Sequence, residues 1–556
     1  MRKTIVMLVA AIMLFSTLPT ALADWDGWNL EGTMFPLEEP VTFTVLSSGY
    51  RYANLSDIVN NKDWQSLEEA TNVHIDFVFL GDYDAPEAKN NLQMRLLSND
   101  YGDAIFSVYL NNLTVADIEE LAAAGKLANL TDYVNDPAVM PYIYANVTET
   151  NNGLLRGMKS SDGNIYSLFG VTGLAIYTAG EAQMQVNEAW LNAWKEARGL
   201  DHSPATLEEF EDMLTFFKDS DLNGNGSADE IPYFIAQNGY QGCATLEHAM
   251  GMYGIATKDS ALDMDIMIND DGKCFFVYTT DMYKAGLKTF ADWYSKGLVW
   301  DEIFTGNAET ITAIMAESLN RVGVVNVNSE LEGFVTILPP AIEGYQPRYH
   351  MHPAARNGTA SQPYGVITDK CEHPEILAAF LDLMYDMENS LTVRYGSDAW
   401  KNGELAYNDE GKIVFNVPVM PANKGDASVA DQDRPIHDFI WYIQQETLDT
   451  AEKYYDLDSF FGGQSRVAGS QLYIDNGIWN PTNNIWPRCA ILPEYVDDYS
   501  FMQTDVSALL AEYRAQFVTG KLDVDAEWDN FQSKLNNLGV EEMIKIVQES
   551  YDAFMK

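Results

Sequence analysis

Alternating apolar and polar positions mark the first elements of the chain. Residues 40–50 alternate and then turn polar, which predicts a strand that ends in a loop. Helical spacing follows over 64–70, and residues 74–80 alternate again. A helix near 87–97 and a third strand over 103–108 continue the series. This order of strand, helix, strand, helix and strand predicts a parallel sheet with helical crossovers.

Helical spacing dominates the rest of the chain. Thr206 and Glu209 form a capping box, the pattern in which two side chains satisfy the free amides at a helix start. Apolar side chains at helical spacing follow, so this helix buries one face and runs toward Asp219. A glycine-containing hairpin is predicted over 157–172. Further amphipathic helices are predicted near 283–296 and 374–387, and as a C-terminal pair on either side of Gly539.

The length of the chain excludes a single hydrophobic core. With 556 residues, of which 47% are hydrophobic, it is expected to fold as two or more lobes. In parallel sheets, ligands bind beyond the carboxyl ends of the strands. The first three predicted strands place Tyr50 and Tyr109 at such ends. These tyrosines are therefore candidate ligand contacts.

The first residues have the pattern of an export signal. Arg2 and Lys3 precede an apolar segment, and Ala21-Leu22-Ala23 forms a small-residue cleavage pattern. Residues 1–23 are therefore predicted to be a signal peptide, with an extracytoplasmic mature protein beginning at Asp24. The chain has no cysteine before Cys243, so lipid attachment at a lipobox cysteine is not expected. No later apolar run is long enough to predict a membrane span.

The four cysteines give no clear disulfide framework. Cys243, Cys274, Cys371 and Cys489 allow three pairings if all are oxidised, but their wide spacing resembles neither a zinc site nor a small disulfide scaffold. Isolated buried thiols are an equally good interpretation.

The charge of the protein is strongly negative, with a formal net charge of −48. Such a surface repels phosphate backbones, so nucleic-acid binding is not expected. The same repulsion argues against anionic membranes and strongly anionic substrates. A simple physical interpretation is solubility outside the cell.

Residues 219–232 hold the most specific chemical motif. Carboxylates and carboxamides alternate there with glycines between them, which suits Ca²⁺, a cation that takes six to eight oxygen ligands at about 2.3–2.6 Å. One register begins at Asp219 and ends at Glu230, matching a twelve-residue calcium loop. The other begins at Asp221 and closes a shorter cage with Asp229 and Glu230. The alternative is a solvated turn that binds nothing. A structural calcium site is the favoured interpretation.

Aromatic side chains in polar loops are the candidates for carbohydrate contact. Sugars stack their C–H faces on flat rings, and their hydroxyls bond to polar side chains. Trp400 lies in a glycine- and aspartate-containing loop beside Asp398, a weaker candidate for accepting a hydroxyl. Trp479 and Trp486 flank a loop too polar for a core. Ordinary packing is the competing interpretation for each aromatic residue.

Several stretches together resemble a known family. They are residues 186–191, 204–210 and 217–232, supported by 162–168, Tyr395-Gly396 and 528–551. The chain resembles the extracellular solute-binding proteins of ABC sugar importers, in the branch that includes alginate-oligosaccharide-binding proteins and large Gram-positive lipoproteins. The resemblance covers nearly the whole mature chain, and the calcium-loop segment is its most specific part.

The resemblance implies an α/β fold of the two-lobed, periplasmic-binding-protein-like clamshell type, each lobe a mixed sheet flanked by helices. Residues 24–180 with 355–405 would form the N-terminal lobe. Residues 181–354 with 406–556 would form the C-terminal lobe, which carries the calcium loop. A monomeric protein would bind an oligosaccharide between the lobes and deliver it to the permease subunits of an ABC importer.

The resemblance also selects the calcium register that begins at Asp221, with Asp219 outside the cage. The implied ligands are Asp221, Asn223, Asn225, the carbonyl of Ser227, Asp229 and Glu230. The chain departs from Gram-positive relatives in lacking the lipobox cysteine. After the Tyr-Gly pair it keeps an acid at Asp398, but in altered surroundings.

Three classes of function follow from the sequence. The first is an oligosaccharide-binding protein that releases its ligand unchanged. The second is a secreted carbohydrate-active enzyme, a glycoside hydrolase or lyase. The third is an adhesive or structural surface protein, against which the lack of repeats and of a wall anchor argues. No nucleophile elbow, Walker loop, dinucleotide fingerprint or zinc-protease motif occurs in the sequence, so the binding protein is preferred.

Overall fold

A computed structural model of the chain describes most of its residues. The described residues are 27–49, 58–82, 86–106, 113, 115–145, 155, 158–169, 183–237, 245–255, 266–269, 271–327, 331–349, 363–416, 469, 472–473, 475–478 and 491–555.

Thirteen strands are formed by the described residues. They are β1 (Val41–Gly49), β2 (Val73–Asp82), β3 (Ala104–Phe106), β4 (Leu168–Phe169), β5 (Gln183–Asn187), β6 (Ile231–Phe234), β7 (Ile266–Ile268), β8 (Cys274–Phe276), β9 (Val322–Val327), β10 (Phe334–Thr336), β11 (Pro363–Ile367), β12 (Leu405–Tyr407) and β13 (Ile413–Phe415).

Helices cover both faces of the main sheets. In the part of the chain that the structure describes they are α1 (Lys62–Thr71), α2 (Pro86–Ser98), α3 (Val115–Ala123), α4 (Thr131–Val134), α5 (Pro141–Ile143), α6 (Glu188–Arg198), α7 (Leu207–Asp219), α8 (Leu246–Ala249), α9 (Asp281–Lys296), α10 (Ala308–Ala316), α11 (Ser318–Arg321), α12 (Pro374–Asp382), α13 (Met387–Tyr395), α14 (Ser397–Lys401), α15 (Val496–Val518), α16 (Val524–Asn537) and α17 (Val540–Phe554).

The first sheet has five strands in the order β2-β1-β3-β11-β4. β1 pairs in parallel with both β2 and β3, as the strand–helix pattern predicts. β11 then enters antiparallel between β3 and β4. Because β11 comes from a distant part of the chain, the parallel pairing of the first three strands could be predicted but the completed sheet could not.

The second sheet has four strands in the order β10-β5-β9-β6. β6 and β9 are parallel, whereas β5 is antiparallel to β9 and β10 is antiparallel to β5. Val322 to Val327 of β9 are all buried, as is expected of a central strand covered on both faces. The calcium-loop segment leads directly into β6 at the amino end of that strand.

The chain passes between the sheets at their carboxyl edges. β4 ends at Phe169, which pairs with the first residue of β11, Pro363. β5 begins at Gln183, which pairs with Val327 at the end of β9. Phe169 and Gln183, which flank the segment 170–182, and Pro363, which follows the segment 350–362, therefore lie where the parallel strands end. This is the edge at which ligands of parallel sheets bind.

Each sheet has a separate hydrophobic core. The core of the first sheet includes the buried Trp64 and Phe380. The core of the second includes Trp194 and Trp293, and it extends through α9, α15, α16 and α17. A second, smaller buried cluster accompanies each sheet, around Ile105 in the first and Val325 in the second. Two mixed sheets with their own buried clusters give the α/β, two-lobed architecture that the sequence resemblance implies.

Two predicted elements differ from the structure. The helix predicted over 374–387 ends at Asp382, because the Asp386 side chain accepts a hydrogen bond from the Asn389 N–H and so caps α13 as a new helix. The hairpin predicted over 157–172 is reduced, among described residues, to a bridge between Lys159 and Ile165 and the two-residue strand β4.

The hairpin of β12 and β13 packs with the first sheet. The Tyr407 hydroxyl donates a hydrogen bond to Glu388 in α13, and the rings of Tyr395 and Phe415 meet edge to face at 6.1 Å. β12 begins at Leu405, the approximate position expected for the lobe boundary.

Two of the four cysteines lie in the described part of the chain. Cys274 and Cys371 are both free, the first buried and the second partly buried. Burial raises the pKa of each thiol to about 12, so neither is a reactive thiolate near neutral pH. Cys243 and Cys489 lie outside the described residues. Among the described helices, none is both long and apolar enough to span a bilayer.

Candidate functional site

The ligand candidates predicted from the sequence are only partly described. Tyr50, Tyr109, Trp479 and Trp486 lie outside the described residues. Asp398 and Trp400 are described, and both lie in or beside the short helix α14.

Asp398 is paired with a lysine that the sequence analysis did not select. Its carboxylate accepts a hydrogen bond from the Lys62 Nζ at the start of α1, and the two side chains are 54% and 36% exposed. The neighbouring Ser397 N–H donates to the buried Asp63 carboxylate at 3.1 Å. α1 follows β1, so its first turn lies at the carboxyl edge of the first sheet. The ion pair therefore lies at the edge where parallel sheets commonly bind ligands.

The Trp400 side chain is buried and packs within the protein. Its side chain is 4% exposed, and its indole N–H donates to the Thr392 hydroxyl at 3.1 Å. Its ring stacks on Tyr407 with centroids 5.7 Å apart. This environment favours the packing interpretation of Trp400 over sugar contact.

A buried polar cluster lies just beyond the carboxyl end of β6. The Glu247 carboxylate in α8 accepts hydrogen bonds from Arg514 at 2.5 Å and from Gln237 at 3.1 Å. Burial alone would raise the pKa of Glu247, but the positive charge of Arg514 and its hydrogen bond hold it below the ordinary value. The cluster ties α8 to α15 at the edge where the chain crosses between the sheets.

Sequence patterns could not reveal this cluster. Arg514 and Glu247 are 267 positions apart, and each lies among ordinary helix residues. Lys62 had a weak local signal, because Asn61 caps the helix that it begins. Its pairing with Asp398, 336 positions away, depends on the fold.

The calcium-loop segment is folded back on itself by hydrogen bonds. The Glu230 carboxylate accepts from the main-chain N–H groups of Leu222 at 2.6 Å and Asn223 at 3.1 Å. Asp221 accepts from the Gly226 N–H at 2.9 Å. The amide groups of Asn223 and Asn225 both donate to Asp229 Oδ1, at 3.4 and 2.9 Å. These bonds lower the pKa of Asp229.

Glycines and asparagines set the shape of this loop. Gly224 and Gly226 have φ angles of 73° and 91°, in the left-handed region where a side chain would be strained. Asn223 and Asn225 each accept a main-chain N–H two residues on, at 2.9 and 2.8 Å. The Asn223 amide also donates to the Asn320 carbonyl at 3.0 Å, which fixes the loop to α11.

Two observations fit a cation in this loop. Glu230 is only 7% exposed, and its Oε2 has no hydrogen-bond partner among the described residues. A buried carboxylate oxygen without a partner is costly unless a cation or water meets it. The hydrogen-bonded loop also begins at Asp221, whereas Asp219 is the last residue of α7.

One observation limits the fit. Within the described ranges, no three His, Cys, Asp or Glu side chains are grouped closely enough to hold a metal ion. Asp221, Asp229 and Glu230 therefore do not converge on one point in this structure. A cation would therefore also bind the amide and carbonyl oxygens of the expected ligands. The side chains of this loop would have to rotate toward it.

The fold, and the sheet edges at which the chain passes between the lobes, identify a class of protein. Two α/β lobes whose connections attach at the carboxyl edges of both sheets form the fold of the extracellular solute-binding proteins. The structure matches that of a human-milk-oligosaccharide-binding ABC-transporter-associated solute-binding protein from Bifidobacterium longum infantis, with a TM-score of 0.72 at 18% identity, over 94% of this chain and 100% of that one.

Within this class, the chain is homologous to the fructooligosaccharide ABC transporter substrate-binding protein FusA of Streptococcus pneumoniae. The two are 26% identical over 576 residues, covering 99% of this chain and 98% of FusA. The FusA structure in complex with kestose matches with a TM-score of 0.69 at 22% identity, over 93% of this chain and 99% of that one. A second FusA structure is described as an EF-hand mutant.

Two further similarities complete the comparison. The alginate-binding protein AlgQ2, solved without calcium ion, matches with a TM-score of 0.62 at 18% identity, over 93% of this chain and 99% of that one. A family described as "Domain of unknown function (DUF3502)" matches residues 498–556, which include most of α15 and all of α16 and α17. These relatives are substrate-binding proteins and not enzymes, so the homology supports the binding-protein interpretation over a hydrolase or lyase.

Proposed function

We propose that this protein captures an oligosaccharide outside the cytoplasm and passes it, chemically unchanged, to the permease subunits of an ABC importer. The observation that carries the proposal is homology to FusA over 99% of the chain. Phe169, Gln183 and Pro363, which flank the segments between the sheets, lie at the carboxyl edges, and this supports a ligand cleft between the lobes. Closure on the ligand would shift the population from open to closed forms.

The proposed cleft combines described and undescribed residues. Tyr50, Tyr109, Trp479 and Trp486 are proposed to provide aromatic surfaces for the sugar rings. Asp398 is proposed to accept a sugar hydroxyl beside Lys62, since an ion pair offers both an acceptor and a donor. The lobe boundaries are proposed close to those expected, except that the N-terminal lobe would extend past residue 405 to include β12 and β13.

A binding screen tests the function. Kestose, longer fructooligosaccharides, milk oligosaccharides and alginate oligosaccharides would each be titrated by calorimetry, and the bound sugar would be recovered and analysed by chromatography. We expect one family to bind at one per chain and to be recovered intact. Cleavage of the recovered sugar would contradict the proposal, as would failure of every oligosaccharide to bind.

We also propose that the 221–230 loop binds a structural Ca²⁺. The proposed ligands are Asp221, Asn223, Asn225, the Ser227 carbonyl, Asp229 and Glu230. The unpartnered Oε2 of Glu230 supports this proposal. When bound, the ion would neutralise acids gathered in a ten-residue loop and stiffen the entry to β6.

Two matched variants test the calcium register. Glu230→Gln removes a proposed ligand, whereas Asp219→Asn removes an acid from the end of α7, outside the loop. Calcium titration by calorimetry should show at least tenfold weaker binding for the first variant and nearly unchanged binding for the second. Equal losses would favour the register that begins at Asp219. No calcium binding by the unmodified protein would refute the site.

The assembly and location of the protein are further proposals. We expect a monomer in solution, exported and kept outside the cytoplasm, where a permease would receive its sugar. Light scattering with and without oligosaccharide would test the monomer, and fractionation of cells would test the location. A stable dimer that persists on dilution would contradict the first expectation.

A further inference from the structure

A cavity lies at the amino edge of the second sheet, away from the expected sugar cleft. It has a volume of about 730 Å³ and is bounded by the start of β6, the segment that follows α9, and one face of α10. Ile231, Val299 and Trp300 line its floor with apolar atoms. We call it the acidic groove. It is open on one side, as is expected of a surface that receives a chain.

Carboxylates dominate the rim of the acidic groove. Asp301, Glu302 and Glu309 are exposed there, and none of the three forms an ion pair with any residue that the structure describes. Arg321 is the one basic side chain in the lining, and its charge acts on Asp229 in the neighbouring loop. The rim therefore keeps a negative charge that its own lining does not neutralise.

The acidic groove is distinct from the sugar cleft. Ile231 begins β6 and pairs with Val322, the first residue of β9, so the groove lies at the edge opposite to the chain crossings. The groove adjoins the calcium loop, because Asp229 and Glu230 also line it, but the rim acids Asp301, Glu302 and Glu309 are outside the calcium ligand set. They should keep their charge when the loop is saturated with Ca²⁺.

Charge decides what can occupy the groove. A second copy of this chain, with a net charge of −48, would be repelled, as would a nucleic acid. Apolar atoms on the floor and carboxylates on the rim match a segment whose apolar side chains alternate with lysine or arginine. We propose that the acidic groove docks a basic peptide segment of a partner protein. This proposal does not depend on the identity of the sugar.

Peptide binding by the intact protein tests the proposal. The probe is a fluorescein-labelled synthetic peptide in which lysine alternates with leucine, and its neutral counterpart carries glutamine in place of lysine. Fluorescence anisotropy would be measured with saturating Ca²⁺ at low and at physiological salt. We expect one peptide per chain, an affinity that falls as salt rises, and no binding of the neutral peptide.

Two sets of variants separate the groove from the general negative surface. In the triple variant D301N/E302Q/E309Q the rim loses three charges without losing volume. The control E69Q/E120Q/E372Q removes three exposed acids elsewhere. We expect the first to weaken peptide binding at least tenfold and the second to leave it within twofold. Ala313→Arg, which places a cation at the exposed α10 face of the groove, should also weaken binding.

Either of the following two outcomes would overturn the proposal. If both triple variants lost the same peptide affinity, the peptide would be attracted to the acidic surface as a whole and not to the groove. Spermine that binds as tightly as the peptide, and loses affinity in the same rim variant, would mean a site for small polyamines. Thermal unfolding of each variant would be measured in parallel, and Ala313→Arg tests the groove without removing any acid.

Discussion

Trp400 shows how the same residue type can serve packing or binding. Its sequence surroundings are polar, which suggested exposure, yet the fold buries the ring against Tyr407 and bonds its N–H to Thr392. The polar neighbours belong to the turns around α14, and the indole points away from them into the lobe. A tryptophan in a polar loop is therefore ambiguous until its tertiary contacts are known.

Replacing Trp400 by phenylalanine separates these roles. Trp400→Phe keeps an aromatic ring but removes the N–H that bonds to Thr392. We expect the free energy of unfolding to fall by about 2 kcal/mol, because one net hydrogen bond is lost and the smaller ring leaves a cavity beside Tyr407, with the sugar affinity nearly unchanged. Urea denaturation and calorimetry measure the two quantities. A large loss of sugar affinity with unchanged stability would assign Trp400 to the cleft instead.

The ion pair of Arg514 and Glu247 gives a second prediction. Arg514→Met leaves the Glu247 carboxylate buried without its charged partner, while Gln237 and Tyr283 remain as side-chain partners among the described residues, so we expect a loss of about 3 kcal/mol in unfolding free energy. The double variant with Glu247→Gln should recover part of that loss.

An exposed pair provides the control for this measurement. Lys288 and Asp525 lie 2.5 Å apart with both side chains about half exposed. Lys288→Met should cost less than about 1 kcal/mol. Similar losses at the two pairs would show that burial does not amplify the effect.

At the scale of elements, α12 is joined to α5 through a buried carboxylate. Asp382 accepts hydrogen bonds from the main-chain N–H groups of Tyr142 at 2.9 Å and Ile143 at 2.7 Å. Burial raises the pKa of Asp382 to about 8, an effect that these two bonds oppose and the nearby Asp386 reinforces. The carboxyl group is therefore protonated in the folded protein at pH values where it ionises in the unfolded chain.

This raised pKa predicts a pH dependence of stability. Folding takes up a proton at Asp382 between its ordinary pKa near 4 and about 8, so its contribution to stability falls as the pH rises through that window. The unfolding free energy of the wild type, minus that of Asp382→Asn, should decrease from pH 5 to pH 8. Asp212, whose pKa Arg198 lowers, supplies the control, since Asp212→Asn should show no such trend. A constant difference for Asp382→Asn would refute the raised pKa.

Helices and strands were predicted correctly where a periodic pattern of apolar residues lies within the element itself. The capping box at Thr206, the stripe through Phe210 and Phe217, and the alternation of residues 40–50 all correspond to observed elements. The strands β5 and β11 were missed, because all five residues of β5 are buried although three are polar, and β11 is short. Such strands follow from their neighbours in the sheet, which a single sequence does not reveal.

At the scale of the whole molecule, the proposed calcium site and the proposed sugar cleft lie at opposite ends of β6. The calcium loop precedes Ile231, and the carboxyl edge begins after Phe234, about 13 Å away for a four-residue strand. The functional class was predictable because the 217–232 segment is specific. The pairs Lys62–Asp398 and Arg514–Glu247 were not predictable, because their members are 336 and 267 positions apart in the chain.

This separation predicts that calcium and sugar stabilise the protein independently. Calcium at one hundred times its dissociation constant should add about 2.7 kcal/mol to the unfolding free energy, with or without bound kestose. Chelation should leave the kestose affinity within about twofold. Denaturation and calorimetry at matched ionic strength would measure both effects, with Asp219→Asn as the variant that keeps its calcium response. A loss of kestose binding on chelation would contradict the independence of the sites.

The position of β11 has a consequence for biosynthesis. It completes the middle of the first sheet, between β3 and β4, yet the ribosome makes it only after every strand of the second sheet. Until residues 363–367 emerge, β3 and β4 have unsatisfied main-chain groups on facing sides, and a fragment ending near residue 180 should aggregate instead of folding. The fragment would be expressed alone and then with a peptide covering β11. Folding only in the presence of the peptide would show that the first sheet requires β11.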